Sequence, residues 1–454
     1  MAEEGPRPPH RERTPSSSPL AGSGRASGRG HGGGRQDARG QGWTGREFEV
    51  TVGPVAHGGH CVARHEGRVV FVRHALPGER AVVRVTEDRQ PAFCRADAVR
   101  VLAAAPDRVE RPCPHSGPGR CGGCDWQHVA PAAQRDLKAA VVREQLTRLG
   151  GLPADDPLLA GLVVEELPGG PLRWRSRARF AVDRDGRPGL RRHRSHEVEV
   201  LDDCPITAEP AARAVLGRTW PGAGAVDVAV DARGTVTTTR LDRRGVARST
   251  RVLGADGPEP PAGRAARAAA GRDWEVEGTG FWQVHPAAAD ALVGAVAGFA
   301  EVAPGETVLD LYAGAGLFGG ALAPGVGEGG RVLCVEADPA ACAAAEANLA
   351  ALPQAEVWQG DVDALGLEEL LAEVGDPDVV VLDPPRAGAG AAVSRVLAAT
   401  GARAVVYVAC DPASLARDVA ALAAGGYRPA GLRAFDAFPM TAHVECVALL
   451  VGAP

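Results

Sequence analysis

Residues 281–454 restrict the possible folds most, because short apolar runs alternate there with alanine-rich stretches of helical length. The runs are Thr307-Val308-Leu309-Asp310-Leu311, Val332-Leu333-Cys334-Val335-Glu336, Val379-Val380-Val381-Leu382-Asp383 and Ala404-Val405-Val406-Tyr407-Val408-Ala409. Strands this apolar must be covered on both faces, so the pattern predicts an α/β, Rossmann-like fold with a doubly wound sheet between helices. Such sheets hold ligands just beyond the carboxyl ends of their strands. The first run opens directly into Tyr312-Ala313-Gly314-Ala315-Gly316, where glycines let the backbone approach a ligand closely. The second run ends in Glu336, 20 residues after Gly316, where an acid can accept hydrogen bonds from ribose hydroxyls.

Dinucleotide enzymes share the glycines and the acid. Asp310 at the strand end and Asp383-Pro384-Pro385-Arg386 after a later strand distinguish this chain. Together these residues resemble a class I methyltransferase that uses S-adenosylmethionine. The resemblance places Asp361, after Trp358-Gln359-Gly360, at the adenine.

Cys410 follows the fourth apolar run, on the rim where an α/β sheet presents its active site. A lone cysteine after an apolar strand is usually structural. Here the chain also supplies Phe438-Pro439-Met440-Thr441-Ala442-His443-Val444-Glu445 and, upstream, Phe281-Trp282-Gln283-Val284. These stretches resemble the nucleophile, base and cofactor-lid motifs of RNA uracil-5-methyltransferases, and the resemblance extends from about residue 44 onward. It implies that Cys410 is the nucleophile and Glu445 the base, with Gln283, Tyr312, Glu336 and Asp383 on the cofactor. The residue types suit the chemistry. Carbon 5 of uracil is a poor nucleophile until a thiolate adds to carbon 6, and a base must then remove the carbon 5 proton. A free thiol titrates near pH ~8.5, so the site has to favour the thiolate, and the neighbouring Asp411 opposes that. Asp411 and His285 stand where the family commonly has Asn; Ala313 and Leu317 replace frequent Cys and Asn.

Ten cysteines are present, three of them within residues 113–124. In a reducing compartment such clustering points to metal or catalysis rather than disulfides. Cys113, Cys121 and Cys124, with the distant Cys204, offer four thiolates, which suit tetrahedral zinc or a [4Fe–4S] cluster; spacing does not choose between them. The stretch resembles the iron–sulfur motif in the ribosomal branch of the same family, which implies [4Fe–4S] over zinc. Seven residues separate Cys113 from Cys121 where the family more often has five. Cys61, Cys94, Cys334, Cys342 and Cys446 show no partner pattern and are expected to pack as small hydrophobes. His57, His60 and His65 fall in a glycine-rich turn and read as a solvated loop rather than a metal site.

Residues 1–43, rich in Pro, Ser, Gly and Arg, read as a disordered tail. Residues 44–103 hold short strands broken at Gly58-Gly59 and Pro77-Gly78, the pattern of a small OB-like barrel. The Gly58-Gly59 turn, Val70-Phe71-Val72 and Leu76-Pro77-Gly78-Glu79 resemble a TRAM domain, which implies RNA binding. Residues 104–280 form a central cysteine-cluster domain ahead of the catalytic domain, 281–454. Within it, Ala132 to Leu149 has helical spacing up to Gly150-Gly151, and Arg173, Arg175, Arg177 and Arg179 alternate as on one face of a strand, a candidate phosphate groove. Net charge is −6, yet residues 1–250 carry 39 basic against 30 acidic side chains, so a local basic face can still hold RNA.

No apolar run approaches a membrane span and no signal peptide opens the chain, so a cytoplasmic location is expected; a monomer is expected. The expected activity is methylation of a uridine at carbon 5, with ribosomal RNA favoured over transfer RNA as substrate. A noncatalytic iron–sulfur RNA-binding protein would need neither Cys410 nor Glu445. An RNA cytosine-5-methyltransferase would share the thiolate but frames its nucleophile differently.

Overall fold

The computed structural model describes residues 42–253, 264–278 and 280–452, so all but the last two residues of the expected tail lie outside the described residues. The four apolar runs form strands Thr307–Leu311, Arg331–Glu336, Val379–Leu382 and Ala404–Ala409 of one eight-stranded sheet. Its order is Ala355–Gln359, Arg331–Glu336, Thr307–Leu311, Val379–Leu382, Ala404–Ala409, Glu445–Val451, Arg428–Phe435 and Val164–Glu165. The first five are mutually parallel, and Glu445–Val451 runs antiparallel between its neighbours. Chain direction across the sheet reverses beside Thr307–Leu311, which opens a crevice at its carboxyl end.

Helices Ala288–Ala300, Leu317–Val326 and Pro339–Leu349 cover one face of this sheet; Pro131–Arg148, Ala364–Val374, Gly390–Ala399 and Pro412–Ala424 cover the other. Val379–Leu382 and Ala404–Ala409 are buried at every residue, as strands covered on both faces must be. Each such Val or Leu side chain contributes about 1.5–3 kcal/mol on burial.

The region 104–280 is shared among several cores: Trp126 packs with the N-terminal strands and helix Pro131–Arg148 on the catalytic sheet. Hairpin Arg264–Ala269 and Arg272–Glu277 packs Trp274 and Val276 among the catalytic helices. Strand Val164–Glu165 adds to the catalytic sheet, parallel to Arg428–Phe435. The remainder centres on an antiparallel sheet ordered Val198–Val200, Pro188–Arg191, Arg177–Val182, Ala225–Val230, Val236–Leu241 and Ala247–Leu253. Its arginine row does not form a free groove. Arg173 lies outside the strand at φ +59° and pairs with Asp203 at 2.7 Å, while Arg179 pairs with Asp227 at 2.6 Å. Arg175 donates to the Arg177 carbonyl and Arg177 to that of Gly280.

The N-terminal strands curl into a six-stranded sheet around Val50, Val70, Val72, Val83 and Trp126. Trp43, taken into the tail by composition, is buried in this core, and the Arg68 guanidinium lies 4.4 Å from its ring centre. Among the described residues no helix is long and apolar enough to cross a membrane.

Candidate active site

The register of the antiparallel strand brings Cys410 and Glu445 together. Ala409 pairs with Cys446, so the next residue of one strand, Cys410, meets the preceding residue of the other, Glu445, at the same rim. Both line a cavity of about 560 Å³ at the switch point, together with Gln283, Tyr312, Glu336 and Asp383. Asp361 is exposed past the edge strand Ala355–Gln359 and lies outside the lining.

Backbone geometry shapes the wall. Gly316 takes φ +85°, and a Cβ there would sit 2.9 Å from Leu349 Cδ1, so the turn closes only with glycine. Tyr312 adopts φ +60°, unusual for a bulky residue, and its hydroxyl donates to the Val362 carbonyl at 3.1 Å. Glu336 accepts from the backbone N–H groups of Gly314, Ala337 and Asp338 at 2.8–2.9 Å, which fixes its carboxylate at the strand end. Asp310 is fully buried beneath the turn; burial pushes its carboxyl up to about 7 although Gly319 N–H donates to it at 2.8 Å.

The lining is acidic. Among the described residues it holds Glu277, Glu336, Asp338, Asp383 and Glu445 against one base, Arg386. Burial raises Glu445 well above the usual carboxylate range, and the adjacent Asp383 raises it further. Burial likewise lifts Asp383 to about 7. Burial, then Glu445 and Asp383, push the Cys410 thiol up to about 12, opposed by Arg386. A bound cation would oppose these shifts and favour the thiolate and the ionised carboxylates.

The loop that leads into Glu445 is clamped from residues 125–138. Met440, at φ +67°, receives Asp125 and Trp126 N–H on its carbonyl and donates its own N–H to Gln134 Oε1 at 2.8 Å. Lys138, fully buried, pairs with Asp436 at 2.5 Å and donates to the Phe438 carbonyl at 3.0 Å. Sequence reasoning assigned no role to Arg386, although the Asp-Pro-Pro-Arg run displayed it; Phe281, 65 % exposed on the wall, was visible only as part of a motif.

The four expected metal ligands come to one neighbourhood. Cys113, Cys121, Cys124 and Cys204 are all buried, and after burial itself a Cys204 thiolate helps to raise each of the other three. Gly123 N–H, Gln127 Nε2 and Thr207 Oγ1 donate to the sulfurs of Cys121, Cys124 and Cys204 at 3.2–3.4 Å. Yet among the described residues no group of three or more His, Cys, Asp or Glu is placed to hold a metal ion. The sequence expectation is thus met only as far as shared location; the sulfurs sit in local hydrogen bonds rather than closed on one point.

A switch-point cavity with a glycine turn, a strand-end acid and an acidic lining is the architecture expected of a class I methyltransferase. The tRNA (Uracil-5-)-methyltransferase family model matches residues 276–452 and the TRAM domain model residues 43–99. An uncharacterized RNA methyltransferase of Streptomyces coelicolor is 49% identical over 89% of this chain and 93% of its own length. A 23S rRNA (uracil(1939)-C(5))-methyltransferase of Halomonas elongata is 36% identical, over 88% of this chain and 89% of its own. The fold is shared with a Pyrococcus abyssi tRNA (uracil-54, C5)-methyltransferase solved with S-adenosyl-L-homocysteine (TM-score 0.63, 22% identity, 88% of this chain and 99% of that one). The chain belongs to the RNA uracil-5-methyltransferase family and is an S-adenosylmethionine-dependent enzyme.

Proposed function

We propose that this enzyme methylates carbon 5 of a uridine in ribosomal RNA through a covalent Cys410 adduct resolved by Glu445. The observation that carries the reading is the register contact of Cys410 with Glu445 on an acidic cavity. Preference for ribosomal RNA draws on the Halomonas relative's target and on the cysteine cluster.

S-adenosylmethionine supplies an electrophilic methyl group on a sulfonium centre, and its positive charge suits a lining of five acids and one base. Gln283, Tyr312, Glu336 and Asp383 would hold it, with Asp361 outside that set. The target base must leave its stack to reach Cys410. The Cys410 thiolate then bonds to carbon 6, and the carbon 5–carbon 6 electron pair moves into the enolate. Carbon 5 takes the methyl group as the bond from that methyl to the sulfonium sulfur breaks, its electron pair staying on sulfur as a neutral thioether. Glu445 removes the carbon 5 proton, the double bond reforms, and the sulfur–carbon bond breaks to return the thiolate.

Cys113, Cys121, Cys124 and Cys204 would hold a [4Fe–4S] cluster. The donors fit: four buried thiols within electrostatic reach of one another, three of them receiving hydrogen bonds, as thiolate ligands of clusters do. The cluster's role would be structural, because methyl transfer moves no electrons to or from a carrier.

The test is labelled methyl transfer to total RNA from a strain lacking the gene, followed by nucleoside digestion. Labelled 5-methyluridine in the large ribosomal RNA is expected. Label in transfer RNA alone would overturn the target, and 5-methylcytidine would overturn the base.

A further inference from the structure

The turn between barrel strands Val55–Ala56 and His60–His65 reaches both catalytic loops at once. His57 Nε2 lies 2.8 Å from Asp411 Oδ2, one residue after the nucleophile. Gly59, at φ +80°, abuts the base-bearing loop so closely that a Cβ would stand 2.7 Å from Ala442 Cβ. Trp126 Nε1 donates to the Gly59 carbonyl at 3.2 Å and seats the turn. The other Asp411 oxygen caps helix Pro412–Ala424 by accepting from Ser414 N–H at 2.9 Å. Both carboxylate oxygens are therefore committed, one to the helix and one to the barrel.

We propose that His57 is a positioning residue for methyl transfer: the barrel imidazole holds the Asp411 carboxylate and offsets its charge beside Cys410. This rests on Cys410 being the nucleophile. Asp411 adds to the charges that hold the Cys410 thiol protonated, alongside Glu445 and Asp383, with Arg386 opposing them. His57 faces Asp411 and, at longer range, Glu144 and Arg417 from the two adjoining helices. The Asp411 bond raises its proton affinity, against the effect of burial, so the imidazolium persists above the ordinary histidine range. A barrel that shifts when RNA binds would thereby change the reactivity of the nucleophile.

The experiment is iodoacetamide alkylation of Cys410 in the full-length protein without RNA, followed by mass analysis of the Cys410 peptide. His57→Ala should slow alkylation at pH 7 about three- to tenfold, the effect of half to one unit in the thiol's titration. His57→Gln, which keeps a donor but loses the charge, should slow it similarly. In an Asp411→Asn background, where the cap survives, His57→Ala should change nothing. An unchanged or faster rate in His57→Ala, a wild-type rate in His57→Gln, or equal slowing in the Asp411→Asn background would each overturn the proposal. Failure of the nucleophile reading itself shows separately, as absence of a Cys410–RNA adduct in the wild-type enzyme.

Discussion

Replacing Lys138 by Met tests how the loop that leads into Glu445 is held. Lys138 is the only lysine in the sequence, and its side chain is 0% exposed. Burial drives its proton affinity down, and Asp436 at 2.5 Å opposes that. Removing one member of such a pair leaves an uncompensated buried charge and costs about 3–5 kcal/mol. The Phe438 carbonyl also loses a donor, worth about 1 kcal/mol. Lys138→Met should therefore lower unfolding free energy by about 4–6 kcal/mol, read from urea denaturation at fixed temperature. Replacing both partners (Lys138→Met with Asp436→Leu) should recover at least about 2 kcal/mol of that loss, since an apolar pair of similar volume carries no desolvation penalty. A single variant within about 1 kcal/mol of wild type, or a double variant no better than the single, would refute the reasoning.

Five further outcomes follow from the site. Cys410→Ala should abolish methylation while leaving RNA binding intact; turnover in that variant would remove the nucleophile assignment. Glu445→Gln should accumulate a Cys410–RNA adduct on denaturing gels, and its absence at all times would argue against the base. The same variant should unfold at higher urea than wild type at pH 8: the folded-state Glu445 carboxyl titrates above its unfolded value, so its contribution declines as pH rises through that window. Alkylation of Cys410 in the free enzyme should rise about tenfold per pH unit between 7 and 10, because its thiol titrates near 12; a plateau by pH 9 would contradict the acidic-lining account. Cys121→Ser should lower iron and sulfide per chain after anaerobic purification; unchanged content would dissociate that residue from the cluster.

The catalytic sheet was legible because strands buried on both faces announce themselves as unbroken apolar runs, as Val379–Leu382 does. Cys410 was legible because its run ends there. Glu445 was recognised by motif alone: nothing local says that Glu445–Val451 is antiparallel, and only that reversal sets the acid opposite the thiol. His57 was read as a solvated turn residue because its partner is 354 positions away. The arginine row misled because alternation describes a strand, whereas Arg173 precedes it with positive φ and the forks are taken by Asp203 and Asp227. Four cysteines at suggestive spacing fixed a neighbourhood but not the coordination geometry, which depends on where the loops place each sulfur.

The strand Val164–Glu165 has a consequence for synthesis. Its partner, Ala434–Phe435, is made about 270 residues later. At roughly 5–20 residues per second the earlier segment waits on the order of 15–55 s before it can pair. Helix Pro131–Arg148, whose apolar side joins the same core, waits with it. A nascent chain of this enzyme therefore carries an unsatisfied apolar surface through more than half of its translation, an interval in which holdase chaperones have their opportunity. Conversely, a fragment cut to the family-matched residues 276–452 would leave Arg428–Phe435 as a bare edge, open to pairing with other chains.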